Sequence, residues 1–187
     1  ARNAHAGNPH FEGTQDNSQP IGEGDVLLTD LWAKEKGEDA VYSDITWMAF
    51  VGRTVPDDVR NVWNVVMGAR DAGIRHVEEA CARGVAVRGA DVDDATRAVV
   101  RAAGLEQYFI HRTGHSIGLE THGNGANIDN LETRDERVLI PDTGFSIEPG
   151  VYQAKFGVRS EIDMYIDPQG KAAVSSPIQR ALPALLS

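Results

Sequence analysis

Residues 111–122 read HRTGHSIGLETH and hold three of the chain's six histidines. His111 and His115 are four apart and framed by Gly114 and Gly118. Neutral imidazole beside hard carboxylates suits Mn, Co, Zn or Fe, so the acids of the chain decide whether this is a metal motif. The same stretch contains Gly114-His115-Ser116-Ile117-Gly118, which fits the G-x-S-x-G turn of serine hydrolases. That turn needs a helix directly after the serine, then an acid and a histidine further along. LETHGNGANIDN follows instead and is no helix; the only later histidine is His122, with Glu120 the only acid between them. The serine-hydrolase reading fails on that ground.

Outward from this stretch, four acids lie inside apolar, strand-like runs. Asp30 follows VLLT, Asp44 sits in VYSDITW, Glu148 follows FSI, and Glu161 sits in VRSEIDMYI. A charged carboxylate in such a setting costs several kcal/mol unless it is paired or ligates a metal. Strand alternation permits each one to point outward from a half-buried strand. Four together, beside a histidine cluster, point instead to cations that hold them. Two metals about 3.5–4 Å apart can share bridging carboxylates and a hydroxide.

The elements around these residues are legible from their periods. DVLLTDL at 25–31 and VYSDITWMAFV at 41–51 read as strands joined by a charged hairpin loop. Pro56, followed by Asp57 and Asp58, opens a helix that Gly84 ends. A second helix is expected after Asp91, ending at Gly104, and two strands at 145–152 and 157–166. Residues 1–24 read as loop and the tail after Pro168 is weakly patterned. Strand, strand, helix, helix, strands without parallel alternation gives an α+β class.

Composition excludes several partners. With 18 basic against 28 acidic residues, net charge −10, a phosphate backbone is repelled and nucleic acid is not expected. No apolar run reaches the ~18 residues of a membrane span. Cys81, the single cysteine, excludes an intrachain disulfide and reads as a structural residue in an apolar helix.

Together HRTGHSIGLETH, SIEPGVY, VRSEID, LLTDLWA and YSDIT resemble, in the right order over residues 3–166, the pita-bread metallopeptidases, and among them the Xaa-Pro aminopeptidases and prolidases. His111 is what resembles the proline-specific branch. The resemblance implies an α+β pita-bread fold of pseudo-symmetric halves. It implies a single catalytic domain over residues 1–187, incomplete at its N-terminal side, with the missing helices and strand expected before Ala1. It implies two divalent metal ions, Mn first, then Co, Zn or Fe, held by Asp30, Asp44, His115, Glu148 and Glu161, with Asp44 and Glu161 bridging. His10 and His122 would act on the substrate carbonyl, Glu148 would shuttle a proton, and His111, His122 and Arg159 would bind substrate. The implied reaction is hydrolysis after an N-terminal residue that precedes proline. The expected partners are a peptide with proline second, the preceding segment of the same protein and a second copy in a homodimer; the expected compartment is the cytoplasm. A non-catalytic scaffold on this fold would have lost ligands, and all five are present; a lyase or other non-peptidase enzyme on the fold is the remaining alternative. Three departures bear on substrate preference: Asp30 and Asp44 are further apart than is usual, Gly123 stands where the family commonly has Glu, and the loop GNGANIDNLETRDE is unusual.

Overall fold

The structure is a computed structural model and describes residues 1–9 and 11–187. Strands β1 (Val26–Ala33) and β2 (Ser43–Phe50) form an antiparallel hairpin. Val26 lies opposite Phe50, Leu28 opposite Met48, Asp30 opposite Thr46 and Trp32 opposite Asp44. Because side chains alternate across a strand, these pairs share one face. Its near end buries Val26, Leu28, Met48 and Phe50 in the core, and its far end carries Asp30, Thr46 and Asp44. On the opposite face Leu31 and Trp47 are 57% and 43% exposed.

Two helices back the sheets. Helix α1 (Asp57–Ala82) starts as Pro56 predicts and turns Val59, Val62, Trp63, Val66, Ala69 and Val77 inward. It ends before Gly84, which adopts φ +64° where a side chain would be strained. Helix α2 (Gly89–Ala102) starts three residues earlier than expected. Asp91 is not the residue before the helix but lies in its first turn, where its carboxylate accepts the Arg88 backbone N–H at 3.3 Å. Glycine is required at 89, since a Cβ there would lie 1.7 Å from the Asn127 carbonyl oxygen.

The late strands depart from the sequence reading. Each expected run is broken in two. β4 (Thr143–Ile147) is followed by β5 (Gly150–Tyr152), and β6 (Gly157–Arg159) by β7 (Ile162–Ile166). The breaks fall at Glu148-Pro149 and Ser160-Glu161. Pro149 has no N–H to give a ladder, the Glu148 N–H bonds to the Thr113 carbonyl at 2.7 Å, and the Glu161 N–H turns to Thr46 at 3.4 Å. The chain thus leaves one sheet and enters another at two of the predicted ligands. With β3 (Ser116–Ile117) and β8 (Ala172–Val174), one sheet has the order β3-β4-β7-β8, while β5 and β6 pair separately. The weakly patterned tail is anchored: the buried Gln179 amide brackets Met48, accepting its N–H at 2.8 Å and donating to its carbonyl at 2.7 Å. Residues 1–24, read as loop, include a 3-10 turn (Asn3–Gly7) tied to Asp25 by Arg2 and Asn3. Among the described residues no helix is long and apolar enough to cross a membrane.

Candidate metal centre

Three separate elements meet at one point. Asp44 comes from β2, His115 from the residue before β3, and Glu161 from the break before β7. One ligand atom of each lies within 4.8 Å of the others, and all three are buried. Glu148, at the other break, reaches the His115 Nε2 with Oε1 at 3.2 Å, and Asp44 Oδ2 approaches it at 3.6 Å. The His115 Nδ1 faces the Ser116 carbonyl at 3.1 Å, which places the proton on Nδ1 and leaves Nε2 for a ligand. Asp30 lines the same cleft but stands outside the trio, with its carboxylate paired to Arg159.

The acids are held by a layer of hydroxyls and one guanidinium. The Thr46 hydroxyl donates to Glu161 Oε2 at 2.7 Å and accepts the Arg159 Nε–H at 2.8 Å. The Ser146 hydroxyl donates to Glu148 Oε1 at 3.1 Å and accepts the His115 backbone N–H at 3.0 Å. Asp163, opposite Ser146 in the β4–β7 register, accepts the Asp44 backbone N–H. Helix α2 reaches in from behind: Asp93 accepts the Thr113 N–H at 3.0 Å, and Arg97, paired with Asp93 at 2.7 Å, donates to the His111 carbonyl. Thr46, Ser146 and Asp163 were not singled out in the sequence, although they lie inside YSDIT, SIEPGVY and VRSEID; a supporting hydroxyl, or an acid close to a ligand, carries no signal of its own.

Burial sets the electrostatics of these acids. Burial, then the charges of Glu148 and Asp30, push Asp44 up to about 7. Burial, then Glu148, drives Glu161 well above the usual carboxylate range despite Arg159. Burial would also raise Glu148, but the His115 hydrogen bond and the Arg159 charge hold it at about 2. Burial acts to lower His115, and Glu148 outweighs it and raises the imidazole. Among the described residues, the buried Asp44 Oδ1 has no hydrogen-bond partner. Crowded carboxylates, an imidazole nitrogen and an orphaned oxygen fit a site for divalent cations.

The centre opens into a cleft of about 940 Å³ whose walls include Phe11, Trp32, Arg112, Thr121 and Glu132. His122 is exposed there, edge-on to His115 with ring centroids 4.3 Å apart, and burial and the His115 charge lower its pKa. His111 also borders the cleft but has both nitrogens engaged, Nδ1 on the Arg112 carbonyl at 2.6 Å and Nε2 accepting from the Tyr152 hydroxyl at 2.7 Å. Arg159 is committed to Asp30, Thr46 and the Glu148 side, and is buried. His10 lies outside the described residues. Ser116 is no nucleophile: its buried hydroxyl accepts the Gly125 N–H at 3.2 Å, and no helix follows it.

A bent antiparallel hairpin that delivers two glutamates, a second hairpin that delivers an aspartate, and a histidine between them define a metallopeptidase fold of the pita-bread type. The profile of metallopeptidase family M24 matches residues 1–168, and the chain belongs to that family. The chain is 32% identical over 157 residues to an Xaa-Pro dipeptidase of Lactobacillus helveticus, a match covering 83% of the chain and 38% of that protein. It is similar to the solved structure of a dipeptidase from Pyrococcus horikoshii OT3, at TM-score 0.83 and 32% identity, covering 99% of the chain and 47% of the other. A recombinant prolidase from Thermococcus sibiricus gives TM-score 0.83 and 29% identity, covering 99% of the chain and 46% of the prolidase. The chain thus spans less than half the length of these relatives.

Proposed function

We propose that residues 1–187 form the catalytic domain of a two-metal aminopeptidase or dipeptidase that cleaves the bond between an N-terminal residue and proline. The observation that carries this reading is the convergence of Asp44, His115 and Glu161, with ligand atoms within 4.8 Å, beside Glu148 in a peptide-sized cleft. Asp30, Asp44, His115, Glu148 and Glu161 would hold two divalent cations, Mn first among Mn, Co, Zn and Fe. When bound, such a pair supplies an activated water and polarises the scissile carbonyl. The remaining work falls to the chain. Glu148, held ionised by His115 and Arg159, takes a proton and delivers it to the leaving proline nitrogen. His122, exposed and kept neutral, donates an N–H to the carbonyl oxygen as charge develops there, and His10 is assigned the same oxygen. His111 and Arg159 serve substrate binding indirectly: with their polar atoms engaged by Tyr152 and Asp30, they shape the cleft floor.

The test is hydrolysis of Xaa-Pro dipeptides and tripeptides by the purified protein loaded with Mn. Activity is expected to vanish on chelation and return with Mn or Co. His122→Ala is expected to lower kcat about 10²–10⁴-fold while metal content stays near that of the unaltered protein; His115→Ala is expected to lose metal. Full activity in excess chelator, or equal metal loss in both variants, overturns the reading.

A further inference from the structure

Asp44, like Asp30 on the neighbouring strand, reaches the metal centre from a different sheet than His115, Glu148 and Glu161, so something must hold β2 in step with β7. The backbone link is weak: the Glu161 N–H meets the Thr46 carbonyl at 3.4 Å. One turn of pleat away, a side chain takes over. Asp163 Oδ2 accepts the Asp44 backbone N–H at 3.1 Å and the Ser43 hydroxyl at 2.8 Å. Asp163 is itself fixed, since its backbone N–H donates to the Ser176 hydroxyl at 2.8 Å and its carbonyl accepts the Ser175 N–H at 2.9 Å. Its cross-strand partner Ser146 grips Glu148 and the His115 backbone in the same way. The two side chains form a floor beneath three of the ligands. Asp163 is 5% exposed, and its carboxylate is held by the Ser43 hydroxyl and the Asp44 backbone N–H rather than by a Lys or Arg among the described residues. Burying a carboxylate in this way is costly, and its hydrogen bonds to Ser43 and Asp44 offset that cost.

Resting on the metal-centre reading, we infer that Asp163 is a positioning residue. It sets where Asp44 stands relative to Glu161 and His115, and thereby sets metal affinity, without itself ligating. Outer residues that orient ligands are worth about 10–100-fold in metal affinity. Only the acceptor oxygen is needed for this role, so an amide oxygen in the same place should serve.

The experiment is Mn titration of the purified protein by calorimetry, with the melting temperature of the metal-free form measured alongside. Asp163→Ala is expected to weaken Mn binding about 10–100-fold, and Asp163→Asn to recover most of that loss. Should the alanine variant not fold, Asp163→Ser, whose hydroxyl is too short to reach Asp44, takes its place with the same expectation. Unchanged Mn affinity in a folded Ala or Ser variant overturns the inference, as does an Asn variant as weak as Ala, which would assign the effect to charge. A lower melting temperature with unchanged affinity would mark a merely structural latch and also overturns it. No Mn bound by the unaltered protein would instead overturn the metal-centre reading itself.

Discussion

At the scale of single residues, the centre is defined by acids whose ionisation conflicts with their burial. Asp44 stands at about 7 in the folded protein, while an unfolded aspartate titrates near 3.9. Between those values the folded state holds a proton that the unfolded chain has lost. The stability this group contributes is therefore present below about pH 4 and is lost as pH rises towards 7. Glu161 shifts in the same direction. Glu148 shifts the other way, and its contribution is complete above the usual carboxylate range, so it adds no slope near neutrality. Metal binding needs the deprotonated ligands and so favours the opposite trend. The gap in melting temperature between Mn-loaded and chelated protein is expected to widen from pH 5 to pH 7.5. A gap that narrows over that range would contradict the electrostatics. The four predicted acid ligands were visible because each put a charge inside an apolar, strand-like run, and His115 because it sits in a glycine-framed histidine cluster; Thr46, Ser146 and Asp163 were not, because a hydroxyl, or an acid two places past a ligand, fits a strand without conflict.

At the scale of elements, the centre depends on close contact between strands that are not neighbours in sequence. Gly114 shows how close. A Cβ there would lie 2.0 Å from the Ser146 carbonyl oxygen, while the Gly114 backbone exchanges hydrogen bonds with Ile128 at 3.1 and 3.0 Å. Gly114→Ala must push His115 away from the Ser146–Glu148 wall. Overpacking of this kind typically destabilises by about 1–3 kcal/mol, and here it should also weaken Mn binding, measured by thermal melting and titration on the same sample. A variant with unchanged melting temperature and affinity would mean that the strands have slack the structure does not show. The helices were readable to within three residues because Pro56, Gly84 and Gly104 punctuate a 3.6-residue period. The late strands were not, because an unbroken β-forming run does not reveal a change of sheet. Glu148-Pro149 carries a trace of it in the proline, whereas Ser160-Glu161 carries none. The tail was opaque for a related reason: Gln179 acts on Met48, 131 positions away, and no local pattern encodes that.

At the scale of the whole molecule, the centre is where a two-stranded hairpin, the His111–His122 segment and a bent hairpin shared between two sheets converge, and the helices α1 and α2 serve to keep those walls in register. The fold class followed from element order, whereas the cleft emerges only in the structure, where strand alternation places Asp30, Asp44 and Thr46 on the face continuous with the core. The partnership of Asp30 with Arg159 could not be foreseen, since it depends on the distance between two sheets. The proposed function requires that these walls together form a paired divalent-metal site. The direct test is the Mn content of the purified protein after equilibrium dialysis, measured by mass spectrometry for the unaltered protein and for Glu161→Ala, which removes a ligand proposed to bridge. Two bound ions per chain are expected in the unaltered protein and at most one in the variant; equal Mn content in both, or none in either, would contradict the paired-metal reading.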